Sequence, residues 1–269
     1  MTPAALTSRY LAVQAIAVEA GRLAHGFLAD PARLNIEMKG PQDFVSAADR
    51  ATEHLIAQRL AAAFPEDTFL GEESGAAAGI ERAETLWVVD PIDGTANFVR
   101  GLPDWCVSIG LLQGGRPELG AIYIPATDEL YAARRSHGAF CNGRPIRVSD
   151  RTDMAGATIA LEYSFGTESA VHRAQIGAAH ALGAEYRRNG SGAVSLTRVA
   201  SGRLDGFVEM LINLWDILAG IVLVEEAGGW ISDFLGSGGL TRAAPLVAGA
   251  PGLRDALVTI ARTPSGAGA

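Results

Sequence analysis

The stretch Leu86-Trp87-Val88-Val89-Asp90-Pro91-Ile92-Asp93-Gly94-Thr95 decides how this chain is read. Its first four residues are a continuous apolar run, the pattern of a strand covered on both faces. An aspartate at the end of such a strand is costly to bury without a partner. Pro91 fixes the backbone just after it, Asp93 returns a second carboxylate to the same place, and Gly94 permits a sharp turn. A short helix starting near Thr95 would aim free N–H groups at a bound anion. On these residues alone two readings stay open. The segment is either a site where hard cations take the carboxylates and the Ile92 carbonyl, or a capped turn with Asp93 as the helix N-cap.

The flanking sequence supplies strands and helices in both halves. Upstream, an amphipathic helix is expected over Pro3 to Phe27, with Leu11, Ile16, Ala20 and Leu23 near one face. Gln14, Glu19 and Arg22 interrupt its apolar run, so no export signal is expected. A polar loop is expected from Asp30 to Gln42, with Pro31 and Pro41 as breakers. A second helix is expected from Ser46, carrying Leu55, Ile56 and Leu60, until Pro65 stops it. A short strand, Thr68 to Leu70, runs into Gly71-Glu72-Glu73-Ser74. Downstream, Val107–Leu112, Leu119–Ile124, Leu130–Arg134 and Gly138–Phe140 read as a meander ending at the turn Asn142-Gly143.

The second half restarts with a strand at Ala157–Leu161 and a helix from Glu168 to Leu182. The stretch Arg188 to Ala193 leads into another helix, to Ser201. Gly206–Met210 reads as a strand. Trp215-Asp216 opens a helix that the pair Gly228-Gly229 ends. Val247-Ala248 and a helix from Pro251 to Arg262 close the chain, and the tail from Thr263 to Ala269 is expected to fray. The class is α/β, or α+β in some schemes, with helices covering the sheets.

Composition narrows the function classes. The chain has 269 residues and a net charge of −8. It shows no basic footprint for nucleic acid and no polybasic membrane patch, so neither partner is expected. No stretch approaches the ~18 uncharged apolar residues of a membrane span. Cys106 and Cys141 are the two cysteines, and they read as free thiols in a reduced, cytoplasmic setting. The five histidines, His25, His54, His137, His172 and His180, are scattered and receive no role. No motif supports a serine triad.

Three further acids matter. Glu72 sits in a loop after a strand, Asp216 at a helix start, and Asp49 in a helix's first turn. Each alone reads as a solvated or capping residue. In combination they are more specific. Gly-Glu-Glu-Ser at 71–74, Asp-Pro-Ile-Asp-Gly-Thr-Ala-Asn-Phe at 90–98, Trp-Asp-Ile-Leu-Ala-Gly at 215–220 and Glu-Ala-Gly-Gly at 226–229 resemble the inositol monophosphatase family. Val107-Ser108-Ile109-Gly110 and Gly138 to Gly143 add to the resemblance, which spans about Ala12 to Gly249.

The resemblance implies a layered α-β-α-β-α sandwich and one domain over 1–269. Its N-terminal half, about 1–150, would hold the metal and water-activating motifs. Its C-terminal half, about 151–262, would select the substrate. It implies a lithium-sensitive phosphomonoesterase with two or three Mg²⁺ ions, acting on a small polyol phosphate by metal-activated water. Glu72, Asp90 and the Ile92 carbonyl would hold one ion; Asp90, Asp93 and Asp216 a second; a third would sit near Glu72. Thr95 with Asp49 would prepare the water, and the N–H groups of Gly94 and Thr95 would bind phosphate. Glu209 and Gly192 would meet the polyol, and Lys39 would lie near the metals. Inositol-1-phosphate is the leading substrate and histidinol phosphate the alternative. A homodimer is also implied, and a non-catalytic regulatory protein keeping the fold is the remote alternative. Ala96 stands where the family commonly has a second threonine. The bulky loop Glu162-Tyr163-Ser164-Phe165-Gly166 stands where the family often has small polar residues.

Overall fold

A computed structural model describes residues 1–30, 34–40, 43–76 and 80–264. Helix α1 (Pro3–Phe27) starts where expected: the Thr2 hydroxyl accepts the Ala5 N–H and Pro3 takes the first helical position. Strands β1 (Glu37–Gly40) and β2 (Asp43–Val45) then pair antiparallel. The expected polar loop therefore contains a strand. Glu37 and Met38 find partners in Val45 and Phe44, and strands this short leave no periodic signal. Pro31, Pro41 and Gln42 lie outside the described residues.

Helix α2 (Ala47–Ala63) is capped by Ser46. Strands β3 (Thr68–Gly71) and β4 (Gly75–Ala76) form a tight pair, and β5 (Thr85–Asp93) follows. The one-turn helix α3 (Thr95–Phe98) precedes the meander β6 (Cys106–Gln113), β7 (Arg116–Ile124), β8 (Glu129–Arg134), β9 (Ala139–Cys141) and β10 (Arg144–Pro145). The second half holds β11 (Thr158–Leu161), α4 (Ser169–Ala181), β12 (Glu185–Arg187), α5 (Gly192–Ala200) and β13 (Gly206–Ile212). It ends with α6 (Leu214–Glu226), β14 (Trp230–Ile231), β15 (Ala244–Gly249) and α7 (Arg254–Ala261). The last expected helix begins instead as a 3-10 turn at Pro251–Leu253.

Two sheets organise these elements. The larger has the order β10-β9-β8-β7-β6-β5-β3-β4, antiparallel except where β3 meets β5. The smaller has the order β12-β11-β13-β15-β14. Strand β5 shows why its sequence is apolar throughout. Trp87 and Val89 pack with Val13, Ile16, Ile56 and Leu60 of α1 and α2. Leu86 and Val88 face the other way and join Leu196, Leu218 and Val222 of α5 and α6. Those two helices also carry Phe207 and Leu246 of the smaller sheet on their far side. The outer face of that sheet, with Ile159 and Val208, packs on Leu257 and Ile260 of α7 and Ala179 of α4. The result is five layers, α-β-α-β-α. Each fully buried Ile or Leu in them contributes roughly 1.5–3 kcal/mol. Helix α6 is apolar nearly all round because a sheet covers it on each side.

One irregularity in β5 positions the site. Asp90 pairs with Ser108, but Asp93 pairs with Cys106, so three steps on β5 match two on β6. This is a β-bulge. Pro91, which has no N–H to offer the ladder, falls inside it. The strand thus runs three residues beyond Asp90, where the sequence suggested it would stop. In a regular strand, residues three apart point to opposite faces. The extra residue turns Asp93 to the face that already holds Asp90, toward α5 and α6.

Candidate active site

The bulge brings two carboxylates together and α6 brings the third. Asp216 is the third residue of α6, and its Oδ2 accepts the Asn213 N–H at 2.9 Å in a capping box. Carboxylate oxygens of Asp90, Asp93 and Asp216 lie within 4.8 Å of one another. Burial pushes all three carboxyls up: Asp93 to about 7, Asp216 to about 6, and Asp90 well above the usual range. The charges of Glu72, Asp93 and Asp216 push Asp90 further, and that of Asp216 does the same to Asp93. Among the described residues no Lys or Arg forms an ion pair with any of the three. Three desolvated carboxylates with no cationic side chain form a donor set suited to hard divalent cations.

Asp93 does not cap the short helix α3. Gly94 holds that position at φ 91°, and a Cβ there would come within 2.8 Å of the Asp104 carbonyl oxygen. Asp93 Oδ2 instead accepts the Ala193 N–H at 2.7 Å and the Ser191 hydroxyl, both at the start of α5. The capped-turn reading of Asp90 to Thr95 is therefore replaced by a carboxylate that bridges β5 and α5.

Glu72 follows β3, and its N–H donates to the Val89 carbonyl at 3.1 Å, which hangs its loop beside the end of β5. Glu53 of α2 fastens this loop. Its carboxylate accepts the N–H groups of Glu73 and Ser74 at 2.8 and 2.9 Å. Gly71 leaves room for it, since a Cβ would lie 2.3 Å from Glu53 Oε2. Glu53 was missed in the sequence. The signal was available: Asp49, Glu53, Ile56 and Leu60 share the inner stripe of α2, and all four are buried.

Asp49 and Thr95 are 46 residues apart in the chain but adjacent in space: the Thr95 hydroxyl donates to Asp49 Oδ1 at 3.2 Å. Its Oδ2 accepts the Ser46 N–H at 2.8 Å and the Ser46 hydroxyl at 2.6 Å. Burial raises its carboxyl to about 6 against these bonds. The expected solvated position is thus a buried one, because α2 packs its first turn inward. The Ile92 N–H donates to Asp90 Oδ1 at 2.9 Å, while the Ile92 side chain anchors the segment beside Phe98 and Trp105.

The opposite wall comes from the second half. Glu209 is buried, accepts the Ser164 hydroxyl at 2.6 Å, and has its carboxyl pushed up by burial and by the charge of Glu162. Gly192 sits between acids: a Cβ there would lie 3.9 Å from both Glu209 Oε2 and Asp216 Cβ. Glu72, Asp93, Thr95, Gly192, Glu209 and Asp216 line one open cleft of about 1310 Å³. Asp49, Asp90 and Ile92 lie behind that lining. The Lys39 side chain lies outside the described residues. Cys106 and Cys141 are free thiols, as expected.

A five-layer α/β fold with an acidic trio at a strand end, backed by a hydroxyl–carboxylate pair in an open cleft, suits the class of metal-assisted phosphatases. Within that class, the chain belongs to the inositol monophosphatase family, whose model matches residues 7–264. It is 38% identical over 254 residues to an inositol-1-monophosphatase of Rhizobium meliloti, covering 94% of this chain and 95% of that one. It is 37% identical over 249 residues to the Nus factor SuhB of Salmonella typhimurium, covering 90% and 93%. Among solved structures it is similar to the extragenic suppressor protein suhB of Bartonella henselae, with a TM-score of 0.87 and 37% identity over 93% of this chain and 97% of that one. No helix among the described residues is long and apolar enough to cross a membrane.

Proposed function

We propose that this protein is a Mg²⁺-dependent phosphomonoesterase that hydrolyses a small polyol phosphate, foremost inositol-1-phosphate, to the free polyol and phosphate. The observation that carries this reading is the meeting of Asp90, Asp93 and Asp216 within 4.8 Å, in a cleft whose other wall is Glu209 and Gly192. Glu72, Asp90 and the Ile92 carbonyl would hold one ion, Asp90, Asp93 and Asp216 a second, with a looser third near Glu72. Bound Mg²⁺ supplies Lewis acidity that makes water a usable nucleophile and offsets phosphoryl charge. The chain's own groups do the rest. The Thr95 hydroxyl takes the hydrogen-bonding position for the attacking water and passes a proton toward Asp49 Oδ1. A carboxyl at about 6 suits a base working near neutral pH. The N–H groups of Gly94 and Thr95 would donate to phosphate oxygens at the start of α3. Glu209 accepts polyol hydroxyls, and the missing side chain at Gly192 leaves room for the ring. The relative named inositol-1-monophosphatase supports this substrate. A homodimer and a cytoplasmic setting belong to the same reading.

A second reading, a regulatory protein that keeps the fold, is supported by the relative named Nus factor SuhB. Phosphate release with and without Mg²⁺ separates the two. Side-by-side kcat/KM values for inositol-1-phosphate, histidinol phosphate and fructose-1,6-bisphosphate then fix the substrate. Histidinol phosphate ahead by about 100-fold, which is ~2.7 kcal/mol at the transition state, would replace inositol phosphate. No release from any of them would end the phosphatase reading.

A further inference from the structure

Glu162 directly follows β11 and is buried at the edge of the cleft, and among the described residues it forms no salt bridge with a Lys or Arg. Its hydrogen bonds all go to one segment. Oε1 accepts the Asn189 N–H at 2.9 Å and the Ser195 hydroxyl at 2.7 Å, and Oε2 accepts the Gly190 N–H at 3.1 Å. The segment it gathers is the turn that enters α5. The next residues along, Ser191 and Ala193, are the ones whose hydroxyl and N–H grip Asp93 Oδ2. Gly192 lies between them. The same turn is tied to the α3 side of the cleft, where Asn97 Nδ2 donates to the Asn189 and Asp104 carbonyls at 2.8 and 2.7 Å.

We infer that Glu162 is a positioning residue: its carboxylate sets the start of α5 so that Ser191 and Ala193 hold Asp93 in the orientation that binds the metal ion shared with Asp216. The chemistry is selective for a carboxylate. Three donors converge on it, and two are backbone N–H groups that cannot turn away. A glutamine in its place presents an NH₂ to one of them, so the turn must open on one side. Asp93 then loses the direction of its lone pairs without losing its charge. Groups bonded directly to a metal ligand, as Ser191 and Ala193 are to Asp93, typically change metal affinity by about 10–100-fold when removed, and Glu162, one step further out, is expected at the lower end of that range. This inference rests on the metal assignment proposed above.

The test is Mg²⁺ binding to the full-length protein by titration calorimetry, with Glu162→Gln compared against Asp205→Asn. Asp205 is another buried acid, bonded to the Ser149 hydroxyl and the Thr158 N–H at 2.7 and 2.8 Å and taking no part in the cleft. Melting curves without metal check whether both variants fold. The expected result is Mg²⁺ affinity about tenfold weaker or more in Glu162→Gln, and unchanged in Asp205→Asn, whatever each does to the melting temperature. Turnover in Glu162→Gln should recover as Mg²⁺ is raised, with KM for substrate little altered. If Glu162→Gln fails to fold, Ser195→Ala removes one of the three donors and is expected to weaken Mg²⁺ binding in the same sense by a smaller factor. Unchanged affinity in the folded variant, or an equal loss in Asp205→Asn, overturns the inference. Mg²⁺ binding without hydrolysis in the unaltered protein would end the functional reading and leave the role of Glu162 standing on calorimetry. No Mg²⁺ binding at all would end both.

Discussion

Thr95 Oγ1 lies 2.9 Å from the Ile92 carbonyl oxygen and 3.2 Å from Asp49 Oδ1, so one hydroxyl proton faces two acceptors. A cation on the Ile92 carbonyl would compete for that oxygen and direct the proton to Asp49. The hydroxyl's free lone pair would then face the cleft. Thr95→Ala is expected to lower kcat by about 10²–10⁴-fold with little change in KM, the range for loss of a positioned proton-transfer group. Thr95→Ser should keep most of the rate. Steady-state kinetics at saturating Mg²⁺ decide it, and an alanine variant as fast as the parent would remove Thr95 from the mechanism.

Asp93→Asn is expected to abolish turnover and to weaken Mg²⁺ binding. Stability should move the other way. The variant removes a buried carboxylate that has no cationic partner, while its amide oxygen can still accept from Ser191 and Ala193. Without metal, the variant should melt at or above the temperature of the parent at pH 8. A lower melting temperature with chelator present would contradict the picture of a strained metal-free site.

The pH dependence of the metal-free protein has a definite sign. Asp93 and Asp216 shift from 3.8 to about 7 and about 6 on folding. Between those limits the folded chain binds more protons than the unfolded chain. The stability these two groups contribute is therefore expected to fall as pH rises from about 4 to about 7. Saturating Mg²⁺, which binds the ionised form of the folded state, should flatten or reverse that slope. Thermal melts across this range, with chelator and with Mg²⁺, measure it directly. Identical slopes in both conditions would count against metal binding by these acids.

Substrate recognition separates from chemistry at Glu209. Glu209→Gln is expected to raise KM for inositol-1-phosphate by about 10-fold, the scale of one charged hydrogen bond. It should leave 4-nitrophenyl phosphate, which has no polyol hydroxyls, nearly unaffected. Gly192→Ala should be harsher, because its Cβ would come 2.7 Å from Ile212 Cδ1 in the ring's space. Equal losses on both substrates would place Glu209 in the structural framework instead.

Much of this site could be read from the chain because its parts are local. Asp90 to Thr95 form one segment, and the strand before them reads as buried because helices cover both of its faces. The extent of the helix over Pro3 to Phe27 was legible, but its inner face was only half read: Ile16 and Ala20 are buried with Val13, Ala17 and Ala24, whereas Leu11 and Leu23 are exposed, because small residues let α1 lie close on the sheet. What escaped reading depends on distant partners. Glu53 and Glu162 act by accepting N–H groups from loops 20 and 27 residues away, and no pattern within their own helix or strand names those loops. The pairing of β1 with β2 was hidden for another reason: both strands are too short to show an alternation. The bulge escaped too, because register is a property of two strands, and the sequence of one shows only that Pro91 leaves the ladder.

The bulge has a consequence for how this site can change. The chemistry depends on the parity of a residue count. Along β5, Leu86, Val88 and Asp90 share one face, and Trp87 and Val89 share the other. Were the ladder regular through Asp93 with all four residues kept, the Asp93 carboxylate would swing away from α5, into the apolar layer beneath α1 and α2. Such a shift of register would leave every carboxylate of the site in the sequence and still dismantle the centre. Substitutions can tune this site step by step, whereas loss of the bulge in those four residues is all or nothing.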